Sequence, residues 1–136
     1  MTPAPPLVML LEDDPDTSSL YQNVLRREGL RVVRFDTGHK ASNWLAEPEN
    51  RPDLMIIDVR LPDGSGVEIC RRICQAADRA PGAPVLMLSA HTDPRLPELC
   101  KQAGAREFLD KLVDLDQFRR TVHQLLSAGE RAEFLA

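Results

Sequence analysis

Leu54-Met55-Ile56-Ile57-Asp58-Val59-Arg60-Leu61-Pro62-Asp63-Gly64-Ser65-Gly66 is the stretch that decides the fold. Four apolar residues run without a polar break into Asp58, and a turn bearing Pro62, Gly64 and Gly66 follows at once. An uninterrupted apolar run of this length reads as a strand covered on both faces, the condition of a parallel sheet lying between helices. A carboxylate at its end then stands at the carboxyl edge of a strand, where open α/β sheets bind their ligands.

The same pattern recurs outward in both directions. Leu7-Val8-Met9-Leu10-Leu11 ends in Glu12-Asp13-Asp14, and Val85-Leu86-Met87-Leu88 ends in Ser89. Val32-Val33 with Phe35 makes a further apolar block, and the short Phe108-Leu109 is followed by Asp110-Lys111. The intervening segments have helical period. Leu20, Val24 and Leu25 share one face before a stop at Gly29; Ala41, Trp44 and Leu45 mark a second helix. Val67, Ile69, Cys70, Ile73 and Cys74 form the apolar face of a third, with Arg71 and Arg72 toward water. Leu96, Leu99, Cys100 and Ala103 form a fourth, closed by Gly104, with Asp93 as its N-cap and Pro94 at its first position; Pro97 then makes a late or bent start. Leu115, Phe118, Val122 and Leu125 line a fifth. Five strands alternating with five helices predict a (βα)5 α/β domain, a doubly wound five-stranded parallel sheet.

The chain is 136 residues long, which fits one domain and is too short for two ordinary ones. Residues 1–6 read as a proline-rich leader, 7–127 as the domain, and 128–136 as a helix end or linker. Hydrophobic residues at 43% and charged residues at 28% exclude a disordered tail. With 17 Lys and Arg against 21 Asp and Glu, the charge of −4 gives no pull toward nucleic acid or an anionic membrane, and Arg26, Arg27, Arg31 and Arg34 read as a solvated face. No apolar run approaches the roughly 20 residues of a membrane span, and the start lacks a signal peptide, so a cytoplasmic location is expected. Cys70, Cys74 and Cys100 are too few for a disulfide scaffold, and His39, His91 and His123 show no zinc-like spacing with them. They read as small buried side chains.

The chemistry gathers at the strand ends. Glu12, Asp13 and Asp58 come from two different strands and converge on one crevice, with Ser89 and Lys111 beside them. Clustered carboxylates repel one another unless a cation neutralises them, and all-oxygen ligation suits magnesium. A carboxylate beside such an ion can act as a nucleophile toward phosphorus, with Lys111 and the Ser89 hydroxyl on the phosphoryl oxygens. Gly64 and Gly66 serve a turn and not a phosphate cradle, since no G-x-G-x-x-G opens the first helix.

Across residues 7–127 the sequence resembles the receiver domain of two-component response regulators, a family with the flavodoxin-like fold. The matching motifs are Leu10-Leu11-Glu12-Asp13-Asp14, Asp58 through Gly66, Leu88-Ser89-Ala90 and Gly104 through Lys111. Each is weak alone; in this order and spacing they are highly specific. The resemblance implies that Asp58 is the phospho-acceptor, Asp13 a direct magnesium ligand, Glu12 a ligand through water, and the backbone carbonyl of Arg60 a further ligand. It implies that Ser89 and Phe108 move together as the switch and that Lys111 is the cationic partner. Arg60 and His91 fall where varied residues tune phosphoryl lifetime, and Asp14 is a weaker metal candidate. The implied partners are a histidine kinase or histidine phosphotransfer protein. A downstream output domain or protein would be reached through the fourth helix, fifth sheet strand and fifth helix, with a homodimer as an option and no direct nucleic-acid or membrane contact. The domain would be a switch that catalyses only its own phosphorylation and dephosphorylation.

Two other readings stay open. One is a phosphorylation-independent interaction module of the same fold, marked by failure to bind magnesium. The other is a dehalogenase-like phosphatase, which would carry a second aspartate at position 60 and a cap domain. The lysine departs from the family pattern in one respect: Leu112 and not proline follows it, which predicts a trans Lys111–Leu112 bond and a different path into the fifth helix.

Overall fold

A computed structural model describes residues 4–76, 82–90, 93–111 and 114–135, with side chains to residue 127. Each apolar run is a strand: β1 Leu7–Leu11, β2 Arg31–Phe35, β3 Leu54–Asp58, β6 Val85–Ser89 and β7 Glu107–Asp110. They form one parallel sheet in the order β2-β1-β3-β6-β7. The helices are α1 Pro15–Arg27, α2 Gly38–Ala46, α3 Gly66–Gln75, α4 Leu96–Gln102 and α5 Leu115–Leu135. The expected doubly wound α/β architecture is the observed one. A two-residue ribbon, β4 Arg60–Leu61 paired with β5 Gly64–Ser65, is added between β3 and α3.

Alternation along the buried strands divides the core into two layers. Val8, Leu10, Leu54, Ile56, Leu86 and Leu88 pack with Tyr21, Val24 and Leu25 of α1 and Phe118, Val122 and Leu125 of α5. Met9, Leu11, Met55, Ile57, Val85 and Met87 pack on the other side with Ala41, Leu45, Cys70 and Cys100. The central strands are therefore apolar on both faces, which is why they read as continuous runs. Trp44 is half-buried, with its ring 5.7 Å from that of Phe35.

Some helix faces differ from expectation. Leu20 is 47% exposed; the inward stripe of α1 is Ser18, Tyr21, Val24 and Leu25, and at about 100° per residue Leu20 falls beyond the flank of Val24. Leu99 of α4 is 41% exposed, leaving Cys100 and Ala103 to face the core. Helix α4 starts at Leu96, with Arg95 in the cap position and no side-chain cap bond; the Asp93 carboxylate instead accepts from the Arg95 N–H in a turn ahead of it. Pro97 occupies the second helical position, where no intrahelical donor is needed, and that is the late start the prolines predict. Cys74 is exposed, unlike Cys70 and Cys100, although its sulfur lies 4.0 Å from that of Cys70. Burial pushes the Cys70 thiol up to about 12, with Cys74 beside it adding to the effect, which disfavours the thiolate. His91 and the Lys111–Leu112 bond lie outside the described residues.

Candidate functional site

The strand order turns back between β1 and β3, and in open sheets such a reversal opens a crevice beyond the carboxyl ends. Leu11 pairs with Ile57, so Glu12 leaves β1 beside Asp58 at the end of β3. Asp58 pairs with Leu88, one residue before Ser89. Ser89 pairs with Asp110, and its carbonyl accepts from the Lys111 N–H at 2.9 Å. Four strand ends thus deliver Glu12, Asp13, Asp58, Ser89 and Lys111 to one place. Together with Arg60, Leu61, Pro62 and Ala90, three of these, Asp13, Asp58 and Lys111, line an open depression of about 360 Å³.

Glu12 and Asp58 are buried, at 1% and 6% exposure, while Asp13 is exposed. One carboxylate oxygen from each of the three lies within 4.8 Å of the others. The Lys111 ammonium donates to Glu12 Oε1 at 2.6 Å and to Asp58 Oδ2 at 2.9 Å. Asp58 Oδ1 accepts from the Arg60 N–H at 3.3 Å. Glu12 Oε2 is buried and has no hydrogen-bond partner among the described residues. Burial, and then the Asp58 carboxylate, push the Glu12 carboxyl up to about 8, against the opposing pull of Lys111. Burial alone would lower Lys111, but its bonds to Glu12 and Asp58 prevail and hold the ammonium above its ordinary value. A single lysine therefore serves two buried carboxylates, and an acidic oxygen is left over. An all-oxygen set with one buried oxygen unsatisfied fits a hard divalent cation.

Other residues resolve into supporting roles. Asp14 caps α1, accepting from the Thr17 N–H at 2.8 Å and its hydroxyl at 2.6 Å, so its carboxylate is engaged away from the cluster. Ser89 is fully buried, and Phe108 is half-buried opposite Met87. A Cβ on Gly66 would stand 1.9 Å from the Asp58 carbonyl oxygen, so only glycine allows α3 to start this close to β3. Two residues escape sequence reasoning. Asp63, in the ribbon turn, accepts from the Gly38 and His39 N–H groups at 2.9 Å each and ties that turn to the start of α2; these bonds hold its carboxyl below the ordinary value. Arg34 is half-buried, not a member of a solvated face, and donates to the backbone beside the acidic pair. The Asp63-Gly64 pair could have hinted at a turn with a capping side chain; nothing local marks Arg34.

This sheet order, with acidic residues after β1, an aspartate ending β3 and a lysine after β7, defines a response-regulator receiver domain. Residues 8–123 match the family model described as response regulator receiver domain, and the chain belongs to that family. It is 32% identical over 126 residues to the transcriptional regulatory protein AfsQ1 of Streptomyces coelicolor, covering 93% of this chain and 53% of that protein. It is 28% identical over 122 residues to the polar-differentiation response regulator DivK of Brucella anthropi, covering 90% and 97%. Among solved structures, the non-phosphorylated HemR receiver domain from Leptospira biflexa superposes with a TM-score of 0.78 at 28% identity, over 90% of this chain and 94% of that one. The chain thus spans about half the length of AfsQ1 and nearly all of DivK. No helix among the described residues is long and apolar enough to cross a membrane.

Proposed function

We propose that Asp58 accepts a phosphoryl group from a phosphohistidine on a histidine kinase or histidine phosphotransfer partner. Glu12, Asp13, Asp58 and the Arg60 backbone carbonyl would hold magnesium. The observation that carries this reading is the buried Glu12–Asp58–Lys111 group with its unsatisfied Glu12 oxygen. In the transfer, an Asp58 carboxylate oxygen forms a bond to phosphorus as the phosphorus–nitrogen bond breaks, and the electron pair returns to the imidazole ring. Bound magnesium would supply positive charge against the carboxylates and the arriving phosphoryl oxygens. Lys111 exchanges its bond to Asp58 for the phosphoryl group, and the Ser89 hydroxyl turns toward it.

The consequence is a switch. Movement of Ser89 and Phe108 biases two packings of α4, β7 and α5, the face read by an output domain or partner protein. Residues 7–127 would form this receiver domain, with 128–136 as a helix end or linker.

Acetyl phosphate and magnesium test the reading directly. Intact-mass measurement should show one added phosphoryl group on the parent protein and none on Asp58→Asn. Equal labelling of the two proteins removes Asp58 from the role.

A further inference from the structure

We propose that Arg34 is a positioning residue for the acidic pair: its guanidinium holds the β1–α1 loop in the shape that presents Glu12 and Asp13 to a divalent cation. This rests on the magnesium reading above. Three residues, 12–14, join β1 to α1. Arg34 Nε donates to the Glu12 carbonyl at 3.1 Å, and Nη2 donates to the Asp13 carbonyl at 3.1 Å. The Glu12 N–H donates to the Phe35 carbonyl at 3.1 Å, and the Asp14 side chain is held by Thr17. Every residue of the loop is therefore tethered, two of them through one side chain.

The fork geometry matters. Two donors fixed in one plane meet two consecutive carbonyls, which sets the two peptides on either side of Asp13, and with them the directions in which the Glu12 and Asp13 carboxylates leave the backbone. A lysine has the charge but no such fork. Outer groups that orient metal ligands typically alter affinity by about 10- to 100-fold when removed. Arg34 presents itself as such a group, although its charge repels any cation bound nearby. Its two effects on metal binding thus have opposite signs. If charge governs, removing it tightens binding; if positioning governs, removing it weakens binding.

Manganese binding followed by electron paramagnetic resonance, with magnesium competition, reads this on the full chain without any phosphorylation. Parent, Arg34→Gln, Arg34→Lys and the exposed control Arg31→Gln are compared well below their melting temperatures in chelator. Arg34→Gln should bind about 10-fold more weakly. Arg34→Lys should recover less than half of that loss in logarithmic terms, and Arg31→Gln should match the parent. Unchanged or tighter binding by Arg34→Gln, or full recovery by Arg34→Lys, overturns the role of Arg34 while leaving the metal site intact. A parent protein that binds neither ion overturns the magnesium reading, and this inference with it.

Discussion

Glu12 carries the largest electrostatic cost in the site, because its carboxyl is almost wholly buried beside a second carboxylate and shares one lysine with it. Folding raises its pKa from the ordinary carboxylate range to about 8. Through the interval between those two values the folded protein retains a proton that the unfolded chain has released, so stability without metal falls as pH rises. Glu12→Gln removes the effect. In chelator it should leave stability near pH 5 almost unchanged and raise it at pH 8.5 by about 3–5 kcal/mol, since a rise from 4.5 to about 8 is more than three tenfold changes in proton affinity, each worth roughly 1.4 kcal/mol. Urea unfolding at the two values checks this, and a difference that does not change with pH contradicts it.

At the scale of elements, strands were legible because a buried parallel strand needs no partner to be recognised: Leu7–Leu11, Leu54–Asp58 and Val85–Ser89 are the apolar runs themselves. The residues at their ends were legible for the same reason, since a charged side chain directly after such a run has only the crevice to enter. Helix faces were harder. Leu20 and Leu99 have the period of core residues, yet their exposure depends on how α1 and α4 rotate against the sheet, which local sequence does not encode. Arg34 acts 21 and 22 residues, and Asp63 24 and 25 residues, away from the backbone groups they bind, so only the folded chain shows them. Gly66 shows how tightly the elements meet. Gly66→Ala sets a methyl against the Asp58 carbonyl and must push the start of α3 off β3. Overpacking of this kind costs about 1–3 kcal/mol. Urea unfolding should show that loss, together with slower labelling by acetyl phosphate because Asp58 and Arg60 shift; full stability would mean that α3 moves freely.

For the whole molecule, the acidic site sets a conflict between stability and the metal binding proposed above. Glu12, Asp13 and Asp58 stand within 4.8 Å of one another in a protein already at a net charge of −4, and Lys111 bonds only two of them. Asp13 adds repulsion to that group while lying exposed, so water screens it and its share is modest. Asp13→Asn should therefore raise the melting temperature in chelator by a few degrees, the shift that roughly 1 kcal/mol gives in a domain of this size. Magnesium at a hundred times its dissociation constant stabilises a folded protein by about 2.7 kcal/mol. The parent should gain that at the same multiple of its dissociation constant, and Asp13→Asn should gain much less, because the carboxylate proposed as a ligand has become a neutral amide. The two melting curves then cross as magnesium rises: the variant is the more stable protein without the ion and the less stable one with it. Thermal melts across a magnesium series read the crossing directly. A variant that starts lower in chelator, or that keeps the parent's whole magnesium gain, places the repulsion or the ligation elsewhere than on Asp13.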